Sequence, residues 1–249
     1  DPLWSRGLGD VYKRQVWELR LIKSPAEITL LEKASSIADE TMYRVREVCK
    51  EGASQRDVAR VAVASYVELG ADPGPPGPIS TGRGWDFLHA HLEDVPLKRG
   101  DVVHVELIPS FSGYSARVMR CISVGNTDPV LIKSAALLEE IQLRQIESMK
   151  PGARACDIDD ILRSGVIKAG LRESYENITG YTLGLYAPAG PRTSDFTRIF
   201  HPKSEWELKT GMVFHMYAAA AGISFSETVQ VTEHGSRRLT KLPRKLFDS

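Results

Sequence analysis

The chain has 249 residues, of which 42% are hydrophobic, and its 32 basic and 32 acidic side chains leave no formal net charge. That length suits one large domain with a sizeable core, and the charge balance recommends neither nucleic acid nor an anionic membrane as a partner. Cys49, Cys121 and Cys156 are odd in number and lack metal-type spacing, which predicts reduced core cysteines in a cytoplasmic protein.

In chain order, the first feature is a segment without apolar periodicity, Ser5-Arg6-Gly7-Leu8-Gly9-Asp10-Val11-Tyr12-Lys13-Arg14-Gln15. Its part from Asp10 to Gln15 back-translates as GATGTGTATAAGAGACAG, which resembles the mosaic end of a transposase tagmentation adapter. Residues 1–15 are therefore expected to be a sequencing artefact outside the fold. The domain is expected to run over residues 16–249, with an N-terminal domain of the natural protein missing.

Ser24-Pro25-Ala26-Glu27 supplies an N-cap, a Pro in the first turn and a capping box. Ile28, Leu31, Ala38, Met42 and Val45 follow at helical spacing and mark a buried stripe. The segment from Cys49 then sets itself beside the segment from Met149: Lys50 matches Lys150, Gly52 matches Gly152, Ala53 matches Ala153, Asp57 matches Asp157 and Gly70 matches Gly170. Each copy predicts a helix, a Gly-containing turn and a second helix closed by Gly. Ser54 and Asp57 stand at capping-box spacing in the first copy. The Gly/Pro-rich stretch from Gly70 is expected to be an ordered surface connection or the rim of a site.

After each helix pair the same strand opening recurs. "LKRGDVVHVE" from Leu97 aligns with "LKTGMVFHMY" from Leu208, so His104 matches His215 and Glu106 falls opposite Tyr217. Two α+β halves with approximate two-fold symmetry follow, the sheet inside and the helices outside. Strand alternation puts His104 with Glu106, His215 with Tyr217, Ser115 with Arg117 and Met119, and Ser226 with Thr228. Glu227 faces the other way. A single buried His-x-Glu pair reads as a satisfied core pair; the matching His-x-Tyr turns the reading towards a site at the seam. Met212–Phe225 is apolar but is interrupted by His215 and too short to span a bilayer.

These segments, with "ITGYTLGL" from Ile178 and "FSETVQVTEHG" from Phe225, resemble the pita-bread superfamily of Xaa-Pro aminopeptidases, prolidases, methionine aminopeptidase, creatinase and ectoine hydrolase. The resemblance runs from about Val16 to Phe247 and implies an α+β fold, with a curved, mainly antiparallel sheet in two pseudo-symmetric halves. It also implies a homodimer. The metallopeptidases of that superfamily bind two metals through Asp, Asp, His, Glu and Glu. Those positions carry over to Glu106, Arg117, Tyr181, Tyr217 and Ser226. Glu106 alone suits a hard divalent cation, and a guanidinium roughly 4 Å from a dication would be repelled by about 8 kcal/mol at an effective dielectric near 20. No metal and no other cofactor is expected. The branch holding ectoine hydrolase is metal-independent and has Glu at the Glu106 position; "GYTLGL", "MVFHM" and "LPRKLF" resemble it, whereas the run from Tyr186 to Glu207 departs from it.

The resemblance implies hydrolysis of an amide or amidine C–N bond in a small molecule such as ectoine. Glu106 would be the nucleophile or the base that activates water. Arg117 would hold it ionised, and His89 and His215 would move protons. His104 would orient Glu106, while Tyr181 and Tyr217 would donate to an oxyanion; Glu227 joins the substrate-binding candidates although alternation turns it away. The bland readings are a core ion pair for Glu106 and Arg117 and simple packing for Tyr181. His91 shares the face of His89, and His201 and His234 read as surface residues. Two alternatives stand beside this: an Xaa-Pro aminopeptidase or dipeptidase requiring metals, and a non-catalytic pita-bread binding protein.

Overall fold

Capping chemistry fixes where the helices start. The computed structural model describes residues 17–82, 92–185 and 197–249; the expected artefact at residues 1–15, together with His89 and His91, lies outside them. Helix α1 is Pro25–Val48, where the Ser24 hydroxyl accepts from the Glu27 amide and the Glu27 carboxylate accepts from the Ser24 amide at 2.7 Å. Helix α2, Gln55–Glu68, repeats the reciprocal box with Ser54 and Asp57. Helices α3, Pro129–Glu147, and α4, Ala155–Lys168, form the second pair. The duplicated box is absent from α4: Arg154 occupies the cap position, makes no cap hydrogen bond and instead forks onto Asp157 at 2.9 and 2.8 Å.

The duplication also shows in the backbone. Gly70 and Gly170 close their helices at φ of 81° and 67°, the left-handed geometry that glycine supplies without steric cost. The Gly52 amide donates to the Leu97 carbonyl and the Gly152 amide to the Leu208 carbonyl, both at 2.9 Å. Each helix pair is thereby tied to the strand that follows it.

The strands are β1 Ile79–Thr81, β2 Val102–Leu107, β3 Ser110–Phe111, β4 Tyr114–Ser115, β5 Val118–Ser123, β6 Gly180–Thr182, β7 Ile199–Phe200, β8 Val213–Ala220, β9 Ile223–Thr232, β10 Gly235–Arg238 and β11 Phe247–Asp248. The main sheet runs β1-β2-β5-β9-β8-β6-β7, with β10 added to β9 and β11 added to β5. Every pairing is antiparallel except that of β11 with β5. The strand expected to carry Ser115, Arg117 and Met119 on one face is interrupted at Ala116 and Arg117, because Tyr114–Ser115 turns away to pair with Ser110–Phe111.

One face of the sheet is covered by helices. Val103, Val105, Leu107, Val118 and Ile122 pack with Ile37, Met42, Val58 and Tyr66. Phe214, Met216, Val229 and Val231 pack in the other half with Ile146, Met149 and Ile158. Each such side chain contributes about 1.5–3 kcal/mol when fully buried. The period of two turns the intervening residues onto the opposite face, which carries the candidate site. Among the described residues no helix is long and apolar enough to cross a membrane.

Candidate active site

Register across the seam builds the site row by row. Glu106 of β2 lies opposite Met119 of β5, Met119 opposite Ser226 of β9, and Ser226 opposite Tyr217 of β8. His215, two residues before Tyr217, lies opposite both Thr228 and Tyr181 of β6. Among the described residues the strands β5 and β9 pair through Met119 and Ser226, and a bridge between Tyr114 and Leu185 also joins the two halves. Beyond the Met119–Ser226 pair the Thr228 hydroxyl stands in for the ladder, accepting from the Arg117 amide and donating to the Arg117 carbonyl, each at 2.9 Å. That clamp aims Arg117 along the site face.

Arg117 Nε lies 3.0 Å from Glu106 Oε1, with both side chains largely buried, and Arg117 Nη1 donates to the Tyr181 hydroxyl. Tyr181, Tyr217 and His215 form an aromatic cluster. Tyr181 meets His215 edge-on at 5.0 Å between centroids, and His215 stacks on Tyr217 at 5.4 Å. Burial pushes the Tyr217 phenol well above its ordinary range, with neighbouring Tyr175, Tyr181 and Glu106 adding to the effect; the hydroxyl is held as a donor. Burial, reinforced by Arg117, holds His215 well below the usual imidazole range. Its imidazole is neutral and resists protonation, which suits it to hydrogen bonding and weighs against the proton-moving role expected of it from sequence. Neither ring nitrogen of His215 has a hydrogen-bond partner among the described residues, and the same holds for the buried Ser226 hydroxyl.

His104 sits one row further along the face, with Nδ1 2.5 Å from the Ser224 hydroxyl, which is itself 3.6 Å from Cys121 Sγ. Ser224 and Cys121 were legible as same-face neighbours of Ser226 and Met119, but neither carries a motif that singles it out. Glu227 is the candidate that the structure does not bring to this face. It is wholly buried on the helix-covered side, where Arg120 at 2.8 Å, Arg238 at 3.2 Å and the Thr240 hydroxyl all bond to its carboxylate. Strand alternation is the reason, and its charge is spent on the core. His234 is exposed, while His201 is half-buried and its Nδ1 accepts from the Lys203 amide.

The Gly/Pro-rich stretch does more than cover a rim. Its end forms β1 on β2, and a Cβ on Gly77, at φ 108°, would lie 2.0 Å from the Glu106 carbonyl oxygen. The Glu106 amide donates to the Pro78 carbonyl at 2.9 Å. The fully buried Tyr66 hydroxyl donates to the Pro76 carbonyl at 2.7 Å and accepts from the Ile108 amide at 3.0 Å. Glu106 is thus held at its backbone from both sides.

The donors do not fit a pair of divalent cations. Of the five positions that the resemblance makes ligands, Glu106 alone is a carboxylate and a guanidinium already engages it. Among the described residues no three His, Cys, Asp or Glu side chains gather as a metal-holding group. A cavity of about 390 Å³ lies elsewhere, lined by Glu18, Ile22, Arg198, Trp206, Glu207 and Met212 among others, and none of its lining is an unpaired buried polar group.

Comparison with known proteins bears on this arrangement. Residues 29–233 match metallopeptidase family M24. The chain is 30% identical over 236 residues to the Xaa-Pro dipeptidase of Pyrococcus horikoshii, covering 92% of this chain and 65% of that protein. Ectoine hydrolase of Halomonas elongata is 28% identical over 243 residues, covering 92% of this chain and 60% of that protein. The solved prolidase from Pyrococcus furiosus superposes with a TM-score of 0.81 at 28% identity, over 91% of this chain and 67% of that one. The chain therefore spans about 65% of the length of the first curated relatives it matches. The expected place beside ectoine hydrolase is not supported over one beside the Xaa-Pro dipeptidases, which match at least as well.

Proposed function

The chain belongs to metallopeptidase family M24 and has the pita-bread fold, and from that premise we propose that it hydrolyses a C–N bond in a small amide or amidine without a dinuclear metal centre. The observation that carries this reading is the Glu106–Arg117–Tyr181 chain, an organic ion pair at positions where metal ligands are expected. Glu106 attacks the electrophilic carbon, and the electron pair of the C=O or C=N bond moves to its heteroatom, which meets the Tyr217 hydroxyl. Collapse breaks the C–N bond, and the nitrogen leaves with a proton from His89, which keeps the acid role expected of it. His89, neutral after giving up its proton, then takes one from water, which attacks the anhydride or acyl imidate on Glu106 and releases the carboxylate, so that both groups are restored. One water is added across the bond overall.

Hydrolysis of ectoine, hydroxyectoine, creatine and Xaa-Pro dipeptides, with and without a chelator, tests the proposal. Chelator-resistant turnover of one of them is expected, falling by about 10²–10⁴-fold in Glu106→Gln. Turnover unchanged in that variant would remove Glu106 from the mechanism. A second reading, an Xaa-Pro dipeptidase, is favoured by the similarity to the dipeptidases of Pyrococcus; two tightly bound divalent ions per purified chain would select it.

A further inference from the structure

We infer that this face recognises a neutral amide group and discriminates against ligands that present a free ammonium to it. The inference rests on the proposed hydrolase site and names the chemical class it takes. Its observation is a set of unpaired buried polar atoms. Both nitrogens of His215 and the hydroxyl of Ser226, on adjacent strands of one face, lack partners among the described residues although neither residue is exposed. Unsatisfied buried groups are rare in native proteins and each calls for an explanation, such as a ligand or ordered water. A neutral imidazole offers one N–H and one acceptor nitrogen, and a hydroxyl offers both functions. An amide, with one C=O and an N–H, is complementary to that mixture.

Charge argues the same way. Among the described residues of this face the ionised groups are Glu106 and Arg117, and they are paired with each other. An ammonium entering here would lose its hydration, and the carboxylate it met would already be engaged by a guanidinium. Desolvating a charge without a dedicated counter-ion is strongly unfavourable, whereas a neutral amide incurs no such penalty.

The test uses a matched pair that differs in one charge, N-acetyl-L-alanyl-L-prolinamide and L-alanyl-L-prolinamide, titrated calorimetrically into the protein. At about pH 6.5, below the α-amino pKa of about 7.7–8.0, the acetylated compound is expected to bind at least about tenfold more tightly. The free amine should gain affinity as the pH is raised to about 9, where it is neutral. Ser226→Ala should weaken binding of the acetylated compound while leaving the unliganded melting temperature unchanged or higher, because a buried unpaired hydroxyl is removed. Equal or tighter binding of the ammonium form at the lower pH, no binding of the acetylated compound at millimolar concentration, or a clear fall in melting temperature in Ser226→Ala each overturns the inference. Product release, followed separately, divides the two claims. Binding of the neutral compound without turnover of any amide leaves this inference standing and removes the hydrolase, and turnover with a preference for the ammonium form does the reverse.

Discussion

Glu106 depends on a residue that has no side chain. Gly77 passes so close to the Glu106 carbonyl that a methyl group would collide with backbone, and its φ of 108° is one that other residues adopt only with strain. Gly77→Ala is expected to lower stability by about 1–3 kcal/mol, read as a lower denaturation midpoint with unchanged slope. Activity should fall further than stability, because the loop and β2 must separate where the carboxylate is positioned. An unchanged midpoint would show that the loop is not held against β2. The sequence marked this stretch as Gly/Pro-rich and ordered; it did not reveal what the glycine approaches, since that neighbour lies far along the chain.

At the scale of elements, the second helices of the two repeated pairs are capped differently. Ser54 and Asp57 make a reciprocal box, whereas Arg154 and Asp157 make an exposed ion pair. Ser54→Ala should destabilise the protein by about 0.5–2 kcal/mol, and Arg154→Ala by clearly less, as exposed pairs contribute little. Thermal melts of the two variants measure the contrast, and equal losses would contradict it. The helices and their order were readable because caps, glycines and the 3.6 period are local. The break at Ala116 and Arg117 was not, because it arises from a side hairpin and from the clamp by Thr228 of a distant strand.

At the scale of the whole molecule, the reverse face of the sheet carries a charged core. Arg120 and Glu227 are wholly buried together, and breaking such a pair from one side is strongly destabilising. Asp39 of α1 reaches towards it, accepting from the Lys241 amide at 2.6 Å. Burial raises its carboxyl to about 6, with Glu227 adding to the rise and the Lys241 amide and Arg120 opposing it. The folded state therefore holds a proton that the unfolded state, with an ordinary value of 3.8, has released. This group contributes stability that is fully present below about pH 4 and lost as the pH rises through about 6, worth about 3 kcal/mol at most. His215 acts in the opposite sense, because its folded value is lowered: its contribution is present above the ordinary imidazole value of 6.5 and is lost as the pH falls below it. Asp39→Asn should raise the denaturation midpoint at pH 7.5 while leaving it little changed near pH 4. A variant whose gain is the same at both pH values would show that Asp39 is not held protonated.

Caps, duplicated turns and alternating side chains were written in the chain, and they were enough to give the helix pairs, the two related halves and the company of His104 with Glu106 and of His215 with Tyr217. They also turned Glu227 away from Ser226. All of these are consequences of short-range geometry, a period of 3.6 or of 2. Only the folded chain decided which strands meet at the seam. That meeting joins Arg117 to Tyr181, commits Glu227 to Arg120 and sets His215 and Ser226 on the same face as Glu106, because pairing across the seam is set by packing between residues far apart in the chain.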